Sequence, residues 1–80
     1  MSVVSFGWVM RVEKGGREGL IRDFHNSRIL NFRSRDLRGT AAEVGLLHVG
    51  DRVAYVARPT SGRPRATEIY FVESGAIPGL

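Results

Sequence analysis

The segment of residues 6–23, FGWVMRVEKGGREGLIRD, places the tightest limit on the fold of this chain. Two runs of strand-forming residues flank Gly15 and Gly16, and paired glycines supply the positive φ angles of a hairpin turn. Neither side of the first run is purely apolar, which predicts a β-bulge or a strong bend within it. Gly19 stands inside the return strand, where a missing side chain indicates a bend or a close approach of two backbones. A bent hairpin of this kind favours a small sheet that closes into a barrel.

Three further strands are predicted after this hairpin. Residues 28–33, 52–58 and 65–72 are rich in strand-forming residues, and their apolar side chains alternate with polar ones. In the first of these segments, alternation places Leu30 on one side of the strand and Asn31 on the other. The chain therefore has five short segments with the pattern of β-strands.

A long connection separates the third predicted strand from the fourth. Residues 38–50 have little β-propensity. One helical turn is predicted to open at Ser34 as its N-cap, and a second opens at Thr40, which forms a capping box with Glu43. Gly45 is expected to limit that second helix to a turn or two.

Five short strands with one long third-to-fourth connection predict an all-β domain. The predicted architecture is a small five-stranded antiparallel barrel of the oligonucleotide-binding class, the OB fold, over residues 1–72. Residues 73–80, ESGAIPGL, have the Gly and Pro content of a flexible C-terminal tail. Such a tail suggests a cut or a linker, and the sequence does not distinguish a whole protein from a fragment of a longer one.

The size and the missing cysteines limit the class of protein. Eighty residues form one domain with a small core, and the absence of cysteine excludes a disulfide framework. No apolar run approaches the roughly 20 residues that span a bilayer. We therefore expect a cytoplasmic protein without disulfides.

Arginine dominates the positive charge. The formal net charge of +4 results from eleven arginines and one lysine against eight acidic residues. The planar guanidinium group binds phosphate in a bidentate manner and stacks on bases, whereas lysine mainly supplies a solvated charge. The composition favours a polyanion as the partner, and a simple role in solubility is the alternative.

Four segments resemble the cold-shock domain family. Residues 7–21 resemble its opening motif GxVKWFNxxKGFGFI, and residues 29–32, ILNF, resemble its FVHF motif. Residues 50–56, GDRVAYV, resemble its GQxVxFxV strand, and residues 63–69, RPRATEI, resemble GPQAANV. The four occur in the family's order and cover about residues 6–72. The resemblance implies an OB barrel that binds unpaired bases on the outer surface of its first three strands.

This chain departs from the family at the aromatic side chains on which bases stack, each of which contributes about 1–3 kcal/mol in such proteins. Arg11 stands where the family has tryptophan, and Glu18 and Leu20 stand where it has two phenylalanines. Ile29 replaces the first phenylalanine of FVHF and Asn31 its histidine. The resemblance is therefore to aromatic-poor members of the family, such as the non-typical cold-shock domains of Unr-like translation regulators, which are thought to act as spacers and interaction surfaces.

Two functions follow from these departures. The first is binding of single-stranded nucleic acid, RNA in preference to DNA, through arginines and the remaining aromatic residues. The predicted site for this function has eleven members: Arg11, Arg17, Arg22, Phe24, His25, Asn31, Phe32, Arg33, Arg35, Arg63 and Arg65. The alternative is a protein-interaction or self-association surface on an aliphatic patch of Leu20 and Ile29, bordered by Glu18.

The sequence also allows predictions for individual side chains. Trp8 is interpreted as a ring packed over one end of the barrel, with base stacking as the alternative. Tyr55 is expected in the core with its hydroxyl bonded to a partner near the edge. Enzyme activity is not expected, because His25 and His48 are the only histidines and the chain has no nucleophile motif, no metal-ligand spacing and no cofactor motif.

Overall fold

The computed structural model describes residues 3–72. Over these residues it contains five strands and one α-helix. They are β1 (Val4–Glu13), β2 (Glu18–Asp23), β3 (Ile29–Arg33), α1 (Gly39–Val44), β4 (Arg52–Arg58) and β5 (Arg65–Phe71). Two 3₁₀ turns, Lys14–Gly16 and Ser34–Asp36, follow β1 and β3. The predicted tail, residues 73–80, lies outside the described residues.

The five strands form one closed barrel in the order β1-β2-β3-β5-β4, and β4 returns to β1. Four of the strand pairs are antiparallel. The pair that closes the barrel is parallel, and Asn31 of β3 lies opposite Arg65 of β5. The predicted all-β fold, a five-stranded OB barrel, is therefore confirmed.

The first strand bends so that it can pair with β2 on one side and with β4 on the other. Its register against β2 shifts between Val9 and Arg11, which is the predicted bulge. Gly19 lies at a close approach of β1 and β2, because a Cβ atom at this position would overlap the carbonyl oxygen of Arg11. The bend and the role of Gly19 are as predicted from the sequence.

The core fills the inside of the barrel and continues under the long connection. All five strands contribute inward side chains, and Leu37, Ala41 and Leu47 of the connection between β3 and β4 belong to the same cluster. The buried apolar residues are Val9, Ile21, Leu30, Phe32, Leu37, Ala41, Leu47, Val53, Tyr55, Ala66 and Ile69.

Both helical turns in the connection begin earlier than predicted, the first by one residue and the second by two. The N-cap of the 3₁₀ turn is Arg33 instead of Ser34, and Arg38 is the N-cap of α1 instead of Thr40. The reason is tertiary, since Leu37 pairs with Ile69 of β5 and the Arg38 N–H donates to the same residue's carbonyl at 2.8 Å. These bonds fix where the chain leaves the sheet, so the predicted capping box at Thr40 does not form.

Candidate functional site

The outer surface of β1, β2 and β3 carries three rows of side chains that run across the strands. The bulge at Met10 allows Trp8 and Arg11, three residues apart, to face outwards while Val9 and Val12 face the core. The first row is Trp8, Arg22 and Ile29, the second is Arg11, Leu20 and Asn31, and the third is Glu13, Glu18 and Arg33. Residues in one row are direct neighbours on adjacent strands.

The second and third rows form one wall of an open groove of about 480 Å³. The other wall comes from the 3₁₀ turn after β3 and from the loop between β4 and β5. The lining residues are Arg11, Glu13, Glu18, Gly19, Leu20, Asn31, Phe32, Arg33, Arg35, Thr60, Arg63 and Arg65. Five arginines and two glutamates therefore face the same space.

Basic side chains neutralise both groove glutamates. Arg11 pairs with Glu13, with Nε 3.2 Å from the carboxylate, and Lys14 pairs with Glu18 at 3.2 Å. Within residues 3–72, Arg33, Arg35 and Arg63 form no ion pair. The three guanidinium groups therefore give the groove its positive potential.

Arg65 is held by a buried carboxylate instead. Asp36 accepts hydrogen bonds from Nη2 of Arg65 at 2.5 Å and from Nε at 3.2 Å. The same carboxylate accepts the backbone N–H of Arg33 at 3.1 Å, which fixes the 3₁₀ turn. These bonds raise the pKa of Arg65 above its ordinary value. Arg65 therefore remains charged but has a fixed orientation at the closure of the barrel.

Most residues of the predicted nucleic-acid site line the groove. Among the predicted nucleic-acid residues it brings together Arg11, Asn31, Phe32, Arg33, Arg35, Arg63 and Arg65. Arg63 and Asn31 also touch each other, with Nη1 of the arginine 3.4 Å from the amide oxygen. Glu18 and Leu20, predicted for the protein-interface alternative, line the same groove, so the two predicted surfaces overlap.

Five predicted residues lie outside the groove. Arg22 and Ile29 belong to the first row, next to it, and Arg17 is exposed at the turn between β1 and β2. Phe24 and His25 line a separate cavity beside the N-terminal part of β1. The structure does not bring these two loop residues to the same place as the arginines.

The prediction that Phe32 offers its ring to a ligand is wrong. Phe32 is only 1% exposed and belongs to the core cluster with Leu30. Both residues are even-numbered positions of β3, and side chains alternate between the two faces of a strand. Phe32 therefore forms the floor of the groove, where no base can stack on its face.

Two residues of the groove were missed by the sequence prediction, and Trp8 entered that prediction only as a base-stacking alternative. Glu13 and Thr60 line the groove. Trp8, interpreted as a cap over a barrel end, instead lies in the first outer row between Arg22 of β2 and Arg52 of β4. The bulge in β1 was predicted, and counting outward positions across it would have placed Trp8 and Arg11 on the same surface.

A buried carboxylate anchors the loop at the far end of β2. Asp23 accepts backbone N–H bonds from His25 at 2.7 Å and Asn26 at 3.1 Å, and its other oxygen accepts the hydroxyl of Tyr55. Burial raises the pKa of Asp23, but these hydrogen bonds together outweigh it and lower the pKa below 3.8. Burial and the bond to Asp23 raise the pKa of Tyr55. The expected core position of Tyr55 and its hydroxyl partner are confirmed.

Asp23 should make the stability of the domain depend on acid pH. Because its pKa is lower in the folded state, its contribution is complete above the ordinary value of 3.8 and is lost as the pH falls through the folded pKa. Asp23→Asn is expected to cost about 2 kcal/mol at neutral pH and to flatten the acid dependence. Urea unfolding across a pH series measures both effects. The exposed Glu43→Gln is the control, and an unchanged acid dependence in Asp23→Asn would contradict the assignment.

Residues 3–72 contain neither a metal-binding cluster nor a membrane-spanning helix. No group of three or more His, Asp or Glu side chains comes close enough together to hold a metal ion. No helix in this part of the chain has the length and apolar character needed to cross a membrane.

The closed barrel, its strand order and the outer rows of β1 to β3 define a cold-shock-like OB fold. Neither a family model nor a curated protein sequence matches the chain. Among solved structures, cold-shock domains 4, 5 and 6 of Drosophila Unr superpose with a TM-score of 0.72 at 17% sequence identity. The match covers 95% of this chain and 29% of the Unr chain. The similarity confirms the predicted cold-shock-like fold, and membership in the family stays a prediction.

Proposed function

We propose that this chain binds single-stranded nucleic acid, RNA in preference to DNA, along the groove on the outer surface of β1 to β3. The observation that carries the proposal is the placement of Arg33, Arg35 and Arg63 in one groove, with no ion pair to any carboxylate among residues 3–72. The groove occupies the surface that cold-shock-like barrels present outwards. An extended polyanion fits such an open and positively charged surface.

Phosphate binding is expected to supply most of the affinity. Guanidinium groups bind phosphate oxygens in pairs, and each phosphate contact releases a condensed counterion. Since Phe32 is buried and Glu18 and Leu20 stand at the family's phenylalanine positions, the groove has no exposed aromatic ring among its lining residues. Binding should therefore be weak in physiological salt and strongly salt-dependent.

The polar groups of the groove favour RNA. Asn31 is exposed between Leu20 and Arg63, and its amide can donate and accept hydrogen bonds. The Thr60 hydroxyl lies on the opposite wall. Such groups can pair with a ribose 2′-hydroxyl, which distinguishes RNA from DNA. A cytoplasmic single-stranded RNA is the proposed partner.

Removing two groove charges should weaken RNA binding and reduce its dependence on salt. The double variant Arg33→Gln and Arg63→Gln is expected to raise the Kd at least tenfold at low salt, as two phosphate contacts are lost. The slope of log K against log salt should fall by roughly 1.4, because each single-strand contact contributes about 0.7. Fluorescence anisotropy of a labelled oligouridylate across a salt series measures both quantities, and the matching DNA tests the preference.

The matched control is Arg28→Gln with Arg58→Gln. It changes the net charge by the same amount, and neither residue lines the groove. A similar loss of affinity in both double variants would show that binding depends on total charge instead of on the groove. If the unsubstituted chain binds no oligonucleotide even at low salt, the proposed function is wrong.

A protein-interaction or self-association surface is the second candidate. The observation that favours it is apolar exposure beside the β2–β3 loop, where Val4, Phe6 and Phe24 are each more than half exposed around one cavity. This place differs from the predicted Leu20 and Ile29 patch, which is half-buried. Concentration-dependent dimerisation in sedimentation, together with no RNA binding, would favour this candidate.

A further inference from the structure

Trp8, the only tryptophan of the chain, lies in the outer row beside the groove. Its neighbours Gly7 and Val9 are buried, so Trp8 faces outwards from β1, and it is half-buried. In the barrel register it lies opposite Arg22 of β2 on one side and opposite Arg52 of β4 on the other. Neighbouring strands are about 4.8 Å apart, so two arginines flank one indole ring within a single row.

These flanking arginines are available to a ligand. Arg52 is exposed and Arg22 is half-buried, and within residues 3–72 neither forms an ion pair. An aromatic face with a cation on either side can stack on a base while the guanidinium groups contact the adjoining phosphates. An aliphatic protein partner would leave both of these charges without a partner.

The row that contains Trp8 is continuous with the groove. It adjoins the second row, whose members Arg11, Leu20 and Asn31 all line the groove, and only the bulge at Met10 separates the two rows along β1. A single strand that leaves the groove towards the β2–β3 loop therefore crosses Trp8 next. The tryptophan lies one row away from Arg11, the position at which the family resemblance places its aromatic ring.

We propose that Trp8, flanked by Arg22 and Arg52, is a base-stacking site that extends the groove by one row. This proposal rests on the proposed function and names a specific subsite for it. The ligand is an unpaired base of the same single strand whose phosphates lie along the groove. Charge then holds the strand in the groove, and the indole ring adds a contact that a polyanion without bases cannot make.

Tryptophan emission, excited selectively over that of the two tyrosines, reports on this site alone, because Trp8 is the only tryptophan of the chain. Titration with unlabelled oligouridylate is expected to quench the emission in parallel with binding measured by anisotropy. Inorganic polyphosphate, which has charge but no bases, is expected to compete for the groove with much less quenching. Equal quenching by polyphosphate, or anisotropy binding without quenching by RNA, would overturn the stacking site while leaving the groove proposal intact.

Substitutions provide the second readout. Trp8→Ala is expected to raise the Kd for oligouridylate by roughly 5- to 150-fold, the factor for one stacked base, whereas Trp8→Phe retains a ring and should stay near the original value. Tyr70→Ala, which removes an exposed aromatic ring on β5 outside the groove, is the control and should change the Kd little.

Thermal unfolding identifies a variant that fails to fold. If Trp8→Ala does not fold, Arg52→Gln tests the same site, with an expected fall of about 0.7 in the salt slope and weaker quenching. Unchanged affinity in a folded Trp8→Ala, or in Arg52→Gln where that variant replaces it, would overturn the proposal. Absence of all binding by anisotropy would overturn the proposed function with it.

Discussion

Phe32→Ala is expected to remove a large part of the stability of the protein instead of merely weakening ligand binding. Phe32 is 1% exposed, and truncating a buried phenylalanine costs about 3–5 kcal/mol through lost burial and the cavity that remains. A domain of 80 residues has a total stability of only about 4–12 kcal/mol. Urea unfolding followed by circular dichroism should therefore show a large fall in the midpoint, or no folded baseline.

Two variants make this result interpretable. Phe24→Ala removes the same ring at a position that is 55% exposed, and it should change the free energy of unfolding by about 0.5 kcal/mol or less. Phe32→Leu keeps most of the volume and should cost about 1.5 kcal/mol, so it provides a folded protein for binding assays. Normal stability with lost RNA binding in Phe32→Ala would mean that the ring faces the ligand and that the core assignment is wrong.

Gly19→Ala is expected to break the pairing of β1 with β2. A Cβ atom at this position would overlap the carbonyl oxygen of Arg11 and lie 3.0 Å from the ring of Phe32. The obstacle is backbone, which cannot move aside as a flexible side chain does, so the cost should be near the upper end for overpacking, about 3 kcal/mol. In a domain of this size that corresponds to a fall in Tm of roughly 12–24 °C, which calorimetry measures directly.

The chain offers a matched glycine for comparison. Gly62 lies in the loop between β4 and β5, and a Cβ atom there would meet no other atom within 4 Å. Gly62→Ala should therefore leave the Tm unchanged or raise it slightly, because the unfolded chain loses conformational freedom. If both alanine variants melt at the same temperature, the close approach of β1 and β2 at Gly19 is not required for the fold.

The fold was predictable because its signals are local. The predicted bounds of β4 match the structure, and both the bulge in β1 and the close approach at Gly19 were apparent from residue types alone. The helix starts were not predictable, since the bond from Arg38 to Ile69 joins residues far apart in sequence. A local capping box would start the helix at Thr40, but the contact with β5 fixes the N-cap two residues earlier, at Arg38.

The site was predictable only in part. The alternation of β3 placed Leu30 inwards and Asn31 outwards, and the same alternation buries Phe32. The family motif suggested that the Phe32 ring is exposed to a ligand, whereas the alternation of side chains along the strand correctly indicates that it is buried. The pairing of Arg65 with Asp36 joins residues 29 apart, so it could not be inferred from spacing. Composition alone did not distinguish this structural arginine from Arg33 and Arg63.

The closure of the barrel has a consequence for any strand bound in the groove. The strands β3 and β5 pair at one position, Asn31 with Arg65. The Arg63 side chain adds a second contact there, because it donates a hydrogen bond to Asn31. Local opening is easiest where the backbone pairing is sparsest. A ligand that contacts both β3 and β5 would hold these two strands together. Ligand binding would therefore stabilise the closed barrel against local opening between them.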